Sequence, residues 1–316
     1  MINILLSSAF FDAIESLIED YQDFNTSYAQ EFDSFDELRS VVQHNIPALF
    51  KGVARNWEAR RKWDDEYLSN SVQGDIEIAT TPYGNADALV EVGDDVFFVE
   101  PLNQHISMGD FLQTLHNKKD DVVYLQSQNG NLAFDEFVKL GRDVPASIAQ
   151  MEDIMGSKPD AVNVWMGGPE SVTSLHHDPY ENIYVVVRGT KTFNLFPPTE
   201  EYCLGFEKYR RGKYIRDASG KLIVEAQDEH VPWTPIDPCL SKEENIARVP
   251  QYKHSRCMTV TVNEGDALYL PSGWFHHVLQ SGDPCIAINY WFDQSYEGEQ
   301  YSMRQFYNRM IEVLHT

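Results

Sequence analysis

The sequence predicts a mainly β protein with flanking helices, organised as an antiparallel barrel or a double-sheet jelly roll. From residue 161 onward, short runs of β-branched and aromatic residues follow one another closely, as in "AVNVWMG" and "CIAINYWFD". Gly-containing turns separate these runs without regular alternation with helices, which favours antiparallel pairing. Helical patterns occur mainly before the strands and at the C-terminal end.

The first 60 residues are predicted to form a helical region packed on the barrel. Phe10, Ile14, Leu17, Ile18 and Tyr21 recur at helical spacing, and a second helix is expected to begin near residue 34, where "SFDE" has the capping-box pattern. Strands are then predicted in "IPALFKGV", "DIEIATTP", "DVFFVEP" and "VVYLQSQ". Helical pieces intervene in "MGDFLQTLHN" and "FDEFVKLGRDVPASIAQM".

The barrel is predicted to span residues 61–295, with a polar, Pro-bearing insert at about 199–254. The insert carries a basic cluster of Arg210, Arg211, Lys213 and Arg216. This cluster is predicted to be a solvated loop beside a turn, and a localisation or anion-binding element is the alternative.

Residues 296–316 are predicted to form a C-terminal helix. Tyr301, Phe306, Met310 and Leu314 fall near one face of this helix. We expect that stripe to be a packing surface first, and it is a candidate contact in a homodimer.

Composition restricts the partners of the protein. Its 316 residues include 25 Lys and Arg against 49 Asp and Glu, for a net charge of −24. Nucleic acids need a basic face, so direct binding of DNA or RNA is not expected, and a cationic partner fits better. No stretch approaches the roughly 20 apolar residues that span a membrane.

The cysteines indicate the redox environment. Cys203, Cys239, Cys257 and Cys285 are far apart and include no CxxC pair, so neither a zinc knuckle nor a disulfide framework is predicted. Free thiols in a reducing compartment are expected, which places the protein in the cytoplasm, the nucleus or both.

Two imidazoles and a carboxylate stand together just before an apolar strand pattern. His176, His177 and Asp178 precede "NIYVVV", and burial of such groups costs several kcal/mol unless they are paired. On a strand, residues two apart share a face, so His176 and Asp178 point the same way and His177 points away. This spacing predicts two ligands of a metal ion.

A third ligand is expected from "LYLPSGWFHHVLQS", where His276 and His277 begin another strand. An antiparallel jelly roll can bring the two segments together. Two His and one carboxylate on one side of a metal leave positions open, as suits Fe(II) and O₂ chemistry. The sequence contains no HExxH zinc motif, no GxSxG serine elbow and no GxxxxGK[ST] phosphate loop.

Other polar groups are predicted to hold a small anion beside the metal. Lys191 is expected on the far arm of a hairpin with the turn "RGTK", among apolar neighbours where an ammonium needs an anion. A dicarboxylate co-substrate would supply that anion. Tyr124, Thr173, Asn182 and Asn289 could complete the pocket. The alternative, that these groups satisfy the backbone, stays open for Asn289 and is favoured for Tyr124.

The pairing of "TSLHHDPYENIYVVVRGTK" with "LYLPSGWFHHV" resembles the JmjC domain of Fe(II)- and 2-oxoglutarate-dependent oxygenases. "TPYGNADALV", "KPDAVNVWMG", "VPWTPIDP" and "CIAINYWFD" extend this similarity over nearly the whole chain. The resemblance implies a double-stranded β-helix, a cupin-like barrel with N-terminal helices and a C-terminal helical dimer element.

The resemblance also implies roles for individual residues. It implies His176, Asp178 and His276 as the iron ligands, because the family pattern Trp-x-His-x-Val selects His276 over His277. The role of His177 stays open.

For 2-oxoglutarate, the resemblance implies Lys191 as the partner of the distal carboxylate, with Tyr124 and Thr173 as hydroxyl donors. Asn182 and Asn289 match further active-site positions of the hydroxylase branch of the family.

The implied reaction consumes 2-oxoglutarate and O₂ and oxidises a C–H bond. Similarity to the hydroxylase branch implies hydroxylation of a lysine at C-3 in a protein such as a developmentally regulated GTP-binding protein. N-methyl-lysine demethylation, as of histones, is the alternative, although Asp178 stands where many demethylases of the family have Glu. A non-catalytic cupin-like binding module and a protease acting on basic histone tails are alternatives from other classes.

Overall fold

The computed structural model describes residues 2–25, 29–117 and 121–314. Its helices are α1 Ile2–Phe24, α2 Leu38–His44, α3 Glu58–Lys62, α4 Asp65–Ser71, α5 Met108–Asn117, α6 Ala149–Met155, α7 Lys242–Arg248 and α8 Glu299–Leu314. Its first strands are β1 Gln30–Phe32, β2 Ala48–Phe50, β3 Asp75–Thr81, β4 Asn85–Ala86, β5 Ala88–Val92, β6 Asp95–Glu100, β7 Leu102–Ser107 and β8 Val122–Leu125. The later strands are β9 Ala161–Gly167, β10 Val172–His176, β11 Tyr180–Phe196, β12 Glu207–Arg216, β13 Leu222–Trp233, β14 Met258–Asn263, β15 Ala267–Leu270 and β16 Phe275–Asp293.

Twelve strands form one large, mostly antiparallel sheet with flanking helices, which confirms the predicted fold class. Its main path runs β1-β2-β15-β11-β16-β9-β8-β3-β7, while β10 pairs with β16 and β4, and β14 pairs with β11. A second sheet has four strands in the order β13-β12-β6-β5. Among the described helices, none combines the length and the apolar character needed to cross a bilayer.

The two faces of strand β11 bury different layers. Ile183, Val185 and Val187 pack toward the helices, whereas Tyr184 and Val186 point into the space enclosed by the curved sheet. This alternation follows the period of two along a strand. Because both faces are apolar, the strand reads as a continuous hydrophobic run in the sequence.

The prediction of a hairpin at "RGTK" is wrong. Strand β11 continues through these residues and pairs with β16 from Tyr180–Asp293 to Phe196–Phe275, with irregularities beside Arg188. Gly189 has φ +81°, and a Cβ there would lie 2.4 Å from the backbone oxygen of Ser281. Turn-type residues therefore form a bulge that bends a continuous strand.

The N-terminal region contains strands as well as helices. Ser34 caps a 3₁₀ turn that leads into α2, close to the predicted helix start. Strands β1 and β2 join the large sheet through β15. Helix α1 packs through Ile14 and Ile18 against Tyr202 and Ile311.

The segment "FDEFVKLGRDVPASIAQM" differs from its predicted helical form. It forms 3₁₀ turns at Asp135–Phe137 and Leu140–Arg142, and α6 begins only at Ala149. Pro145 lacks an N–H and restricts the residue before it, so a continuous helix cannot run through this point.

The basic cluster of the insert lies in a strand, so its prediction as a solvated loop is wrong. Strand β12 pairs with β13 and runs parallel to β6. Arg211 forms ion pairs with Glu100 at 2.6 Å and with Glu229 at 2.5 Å, and Arg216 pairs with Asp121 at 2.9 Å. Arg211 and Arg216 therefore bind carboxylates of the same protein.

Helix α8 packs through a face that the sequence pattern did not select. Tyr307 and Ile311 contact the cluster around Ile14, whereas Phe306 is 59% exposed. Tyr301 and Met310 are partly buried, and the side chain of Leu314 lies outside the described part of the chain. The homodimer contact stays a prediction.

Candidate active site

Strand β10 ends at His176, and Asp178 follows in the turn to β11. His176 therefore lies on a strand as predicted, whereas the prediction that Asp178 lies on the same strand is wrong. The carboxylate nevertheless turns back, and its Oδ2 lies 3.8 Å from Nε2 of His176. The backbone carbonyl of Asp178 accepts a hydrogen bond from Gly273 N–H at 2.9 Å, which ties this turn to the segment before His276.

His276 is the third member of this group. It is the second residue of β16 and lies directly opposite His176 in the antiparallel register. Its Nε2 is 3.6 Å from Oδ2 of Asp178, and the two imidazole centroids are 4.3 Å apart. The structure thus brings together the three residues predicted as metal ligands.

Backbone carbonyls fix the orientation of both imidazoles. Nδ1 of His176 lies 2.8 Å from the carbonyl of Ser174, and Nδ1 of His276 lies 3.0 Å from the carbonyl of Trp274. A carbonyl can only accept, so each Nδ1 carries the proton and each Nε2 presents a lone pair to the centre. Such second contacts orient metal-binding histidines.

The protonation state of His276 also suits a ligand. The residue is 5% exposed, and burial, followed by the proximity of His176, lowers the pKa of His276 to about 3. The imidazole is therefore neutral at neutral pH. Two imidazole nitrogens and one carboxylate oxygen match the donor set of a non-haem Fe(II) site.

A narrow cavity of about 20 Å³ extends from this group into the barrel. Seven of the predicted site residues line it: His176, Asp178, His276, Tyr124, Thr173, Asn182 and Asn289. Aromatic walls are supplied by Trp165, Tyr184, Phe193 and Trp291.

Lys191 lies beyond the cavity wall, where it is 1% exposed. Its Nζ donates to Tyr124 Oη at 3.0 Å and makes a short contact with Gln280 Oε1. No carboxylate of the described residues pairs with this ammonium. A buried charge without a counter-ion is costly, and a ligand carboxylate would relieve that cost.

Several buried polar atoms of the cavity wall also lack partners among the described residues. They are Asn182 Oδ1, Asn289 Nδ2 and Trp291 Nε1. Asn289 uses its Oδ1 to accept hydrogen bonds from Asn163 and Trp165, each at 3.0 Å. Unsatisfied buried groups are rare in proteins, so these atoms fit a polar ligand in the cavity.

Gln280 is a site residue that the sequence reasoning missed. It lies opposite Lys191 in the β11–β16 register, and its Nε2 donates to the Gly168 carbonyl at 2.7 Å. The period of two along β16 places residues 276, 278 and 280 on one face. That spacing could have identified Gln280 beside His276.

Glu181 was also missed and supports the segment that precedes His276. Its buried carboxylate accepts hydrogen bonds from Tyr269 Oη at 2.6 Å and Ser272 Oγ at 2.8 Å. Arg304 of α8 donates to the Ser272 carbonyl at 2.9 Å. The C-terminal helix is thereby connected to the site.

The neighbouring histidines His177 and His277 take no part in the metal group. The His177 ring packs edge-on against Phe275 with centroids 4.9 Å apart, and it faces a different cleft. His277 points to the opposite side of β16 from His276, where its ring meets Asn194 and Cys239.

Comparison with known proteins identifies the family. A model of the cupin-like domain matches residues 34–298. The chain is 36% identical to the human bifunctional peptidase and (3S)-lysyl hydroxylase JMJD7, over 82% of this chain and 81% of that protein. It is 32% identical to JmjC domain-containing protein E of Dictyostelium discoideum, over 92% and 94%. It is 35% identical to lysine-specific demethylase JMJ32 of Arabidopsis thaliana, over 86% and 84%. The chain therefore belongs to the cupin-like, JmjC-domain family of 2-oxoglutarate-dependent oxygenases.

Proposed function

We propose that this oxygenase is a lysyl hydroxylase, which oxidises C-3 of a lysine in a protein substrate such as a developmentally regulated GTP-binding protein. The observation that carries the proposal is one cavity lined by a two-His, one-carboxylate group, together with a buried lysine, Lys191, which contacts Tyr124 of the cavity wall and has no carboxylate partner among the described residues. Similarity to a human protein named as a lysyl hydroxylase supports the choice of reaction. The proposed location is the cytoplasm, the nucleus or both.

His176, Asp178 and His276 would hold the iron. Their Nε2 and Oδ2 atoms already face one another, so little rearrangement is needed to bind a cation. Iron(II), 2-oxoglutarate and O₂ together supply an oxidation that yields succinate and CO₂ and places one oxygen atom in a C–H bond. The protein supplies the positions of the groups that react.

Lys191 would bind the distal carboxylate of 2-oxoglutarate, with Tyr124 Oη as a neighbouring donor. Thr173, Asn182 and Asn289 would contact the remainder of the co-substrate from the cavity wall. The orphaned Asn289 Nδ2 can donate to a ligand oxygen. Each of these groups is held by a strand, so the co-substrate is oriented by rigid elements, and the aromatic wall excludes water.

The charge of the protein supports a lysine-bearing substrate. A net charge of −24 attracts cationic segments and raises their rate of encounter. N-methyl-lysine demethylation is the second candidate, because the Arabidopsis relative is named as a lysine-specific demethylase. Peptide cleavage is the third, because the name of the human relative includes peptidase.

Mass spectrometry of a peptide can distinguish the three reactions. A peptide from a developmentally regulated GTP-binding protein, with an unmodified lysine, is incubated with the protein, Fe(II), 2-oxoglutarate and isotopically heavy O₂. We expect one heavy oxygen atom on the lysine and one succinate for each product. The same peptide with norleucine replacing lysine is the matched control for the amine.

Other outcomes would replace the proposal. Loss of methyl groups from a parallel methyl-lysine peptide, with the unmodified peptide unchanged, would establish demethylation. Cleavage of the peptide without iron and O₂ would establish a peptidase activity independent of this chemistry.

A further inference from the structure

His276 and His277 are adjacent on one strand, so their side chains lie on opposite faces. His276 faces the proposed iron group, whereas His277 is 3% exposed on the other side. The Nε2 atom of His277 lies 3.8 Å from Sγ of Cys239, and its Nδ1 lies 3.3 Å from Nδ2 of Asn194. The proposed function gives this second imidazole no role.

The segment after β13 brings two more donor groups to His277. Asp237 and Cys239 lie two residues apart, and Asp237 Oδ1 accepts a hydrogen bond from Cys239 N–H at 2.8 Å. Asn245 of α7 forms two hydrogen bonds with the backbone of Asp237. The Oδ1 of Asn245 accepts from Asp237 N–H at 3.0 Å, and the Nδ2 of Asn245 donates to the Asp237 carbonyl at 2.8 Å. The segment is therefore fixed in place by contacts that need no ligand.

The donor atoms of Asp237, Cys239 and His277 all lie within 4.8 Å of one another. A tetrahedral zinc ion, with Zn–S and Zn–N bonds of about 2.3 and 2.1 Å, separates its sulfur and nitrogen ligands by about 3.6 Å. The observed Sγ–Nε2 separation is 3.8 Å. The sulfur and nitrogen are therefore within a few tenths of an ångström of the separation that a shared zinc ion requires.

We propose that Asp237, Cys239 and His277 form a second metal site, which binds a thiophilic divalent cation such as Zn²⁺. Three protein ligands leave the fourth tetrahedral position for water. The cleft lined by Asp237 and His277 gives the ion access from solvent.

The two metal groups differ in chemistry. The group of His176, Asp178 and His276 offers nitrogen and oxygen, whereas the second group adds a thiolate, which favours zinc over iron. Binding at the second group would join the segment after β13 to β16, one residue from His276. The neighbouring histidines of "FHHV" would then bind two different metals.

Metal binding by His277 places a requirement on the residue that faces its other ring nitrogen. Metal binding through Nε2 needs the proton of His277 on Nδ1, and the group facing Nδ1 must then accept. Thr259 Oγ1 now donates to Asn194 Oδ1 at 2.8 Å. Rotation of the Asn194 amide would turn its oxygen toward His277 and its nitrogen toward Thr259, which satisfies both contacts.

Cobalt(II) tests the proposal because a sulfur ligand gives an intense near-ultraviolet charge-transfer band that the sulfur-free iron group cannot give. The protein is titrated with Co²⁺ alone, without O₂ or 2-oxoglutarate. We expect a band that saturates at one sulfur-bound cobalt per chain. Cys239→Ser should abolish it, and Asp237→Asn should weaken Co²⁺ binding at this site at least tenfold.

Two matched variants separate this site from other thiols and from the iron group. Cys257→Ser removes another exposed free thiol, and Asp178→Ala disables the proposed iron group; both should keep the band. No band in the wild-type protein, a band that survives Cys239→Ser, or an equal loss in Cys257→Ser would overturn the proposal. Thermal melts of each variant establish that the fold is retained.

Discussion

Replacement of Lys191 by Met should weaken 2-oxoglutarate binding without preventing iron binding. Lys191 is 1% exposed and has no carboxylate partner among the described residues. Removal of one partner from a buried, hydrogen-bonded charge pair costs about 2–5 kcal/mol, or roughly 30- to 4,000-fold in Kd. Tyr124 and Gln280 remain as polar neighbours, so we expect a loss of at least about 30-fold.

Thermal stability provides the assay. At about 100 times Kd, 2-oxoglutarate should stabilise the wild-type protein by about 2.7 kcal/mol, or roughly 5 °C in Tm for a chain of this length. The same concentration should stabilise the Met variant by less than about 1 kcal/mol, because its Kd is at least about 30-fold higher. Iron affinity, measured separately, should be unchanged.

Lys208→Met is the control for this test, and an unchanged affinity in Lys191→Met would contradict the proposed role of Lys191. Lys208→Met removes a charge from an exposed position and should leave the ligand-induced shift intact. If Lys191→Met keeps the wild-type affinity within about threefold, another cation must bind the distal carboxylate. Arg188 would then be the first residue to examine, although it pairs with Asp65 at 3.0 Å.

Three other changes test the site and the fold. His276→Ala should abolish iron binding and turnover while His277→Ala keeps both, and equal losses in iron titrations would contradict the assignment. Glu181→Gln should lower the free energy of unfolding by about 2 kcal/mol in urea, because charge-assisted hydrogen bonds are weakened; an unchanged value would oppose this role. Burial raises the pKa of Asp143, but hydrogen bonds from Lys62, Tyr67 and Trp63 outweigh it and lower that pKa below 3.8. Stability should therefore fall as pH decreases below about 4, and Asp143→Asn should flatten this dependence.

The site was more predictable than the connections between its strands. The proximity of His176 and Asp178 follows from their closeness in sequence, although Asp178 lies in the turn after β10, and the apolar strand after them is encoded by composition. The choice between His276 and His277 needed the family pattern, because either residue can begin a strand. The structure resolves the direction of each ring through its register opposite β10.

The wrong predictions concern segments in which the local preference of the residues conflicts with long-range strand pairing. "RGTK" has turn-type residues, yet pairing with β16 on both sides holds it as a bulge around Gly189. The run of basic residues in β12 is typical of an exposed segment, and although its partner β13 is close in sequence, its parallel pairing with β6 spans more than a hundred residues. Such contacts have no local signal.

The long antiparallel pairing of β11 with β16 fixes the distance between two pairs of residues. His276 lies opposite Leu195, and Gln280 lies opposite Lys191. These two pairs are separated by four residues, or about 13 Å along the strands. The register therefore fixes the spacing between the backbone positions of the proposed iron ligand His276 and of Lys191. The enzyme should accordingly select oxo-diacids by carbon-chain length, so that oxaloacetate is too short and 2-oxoadipate too long to engage both ends.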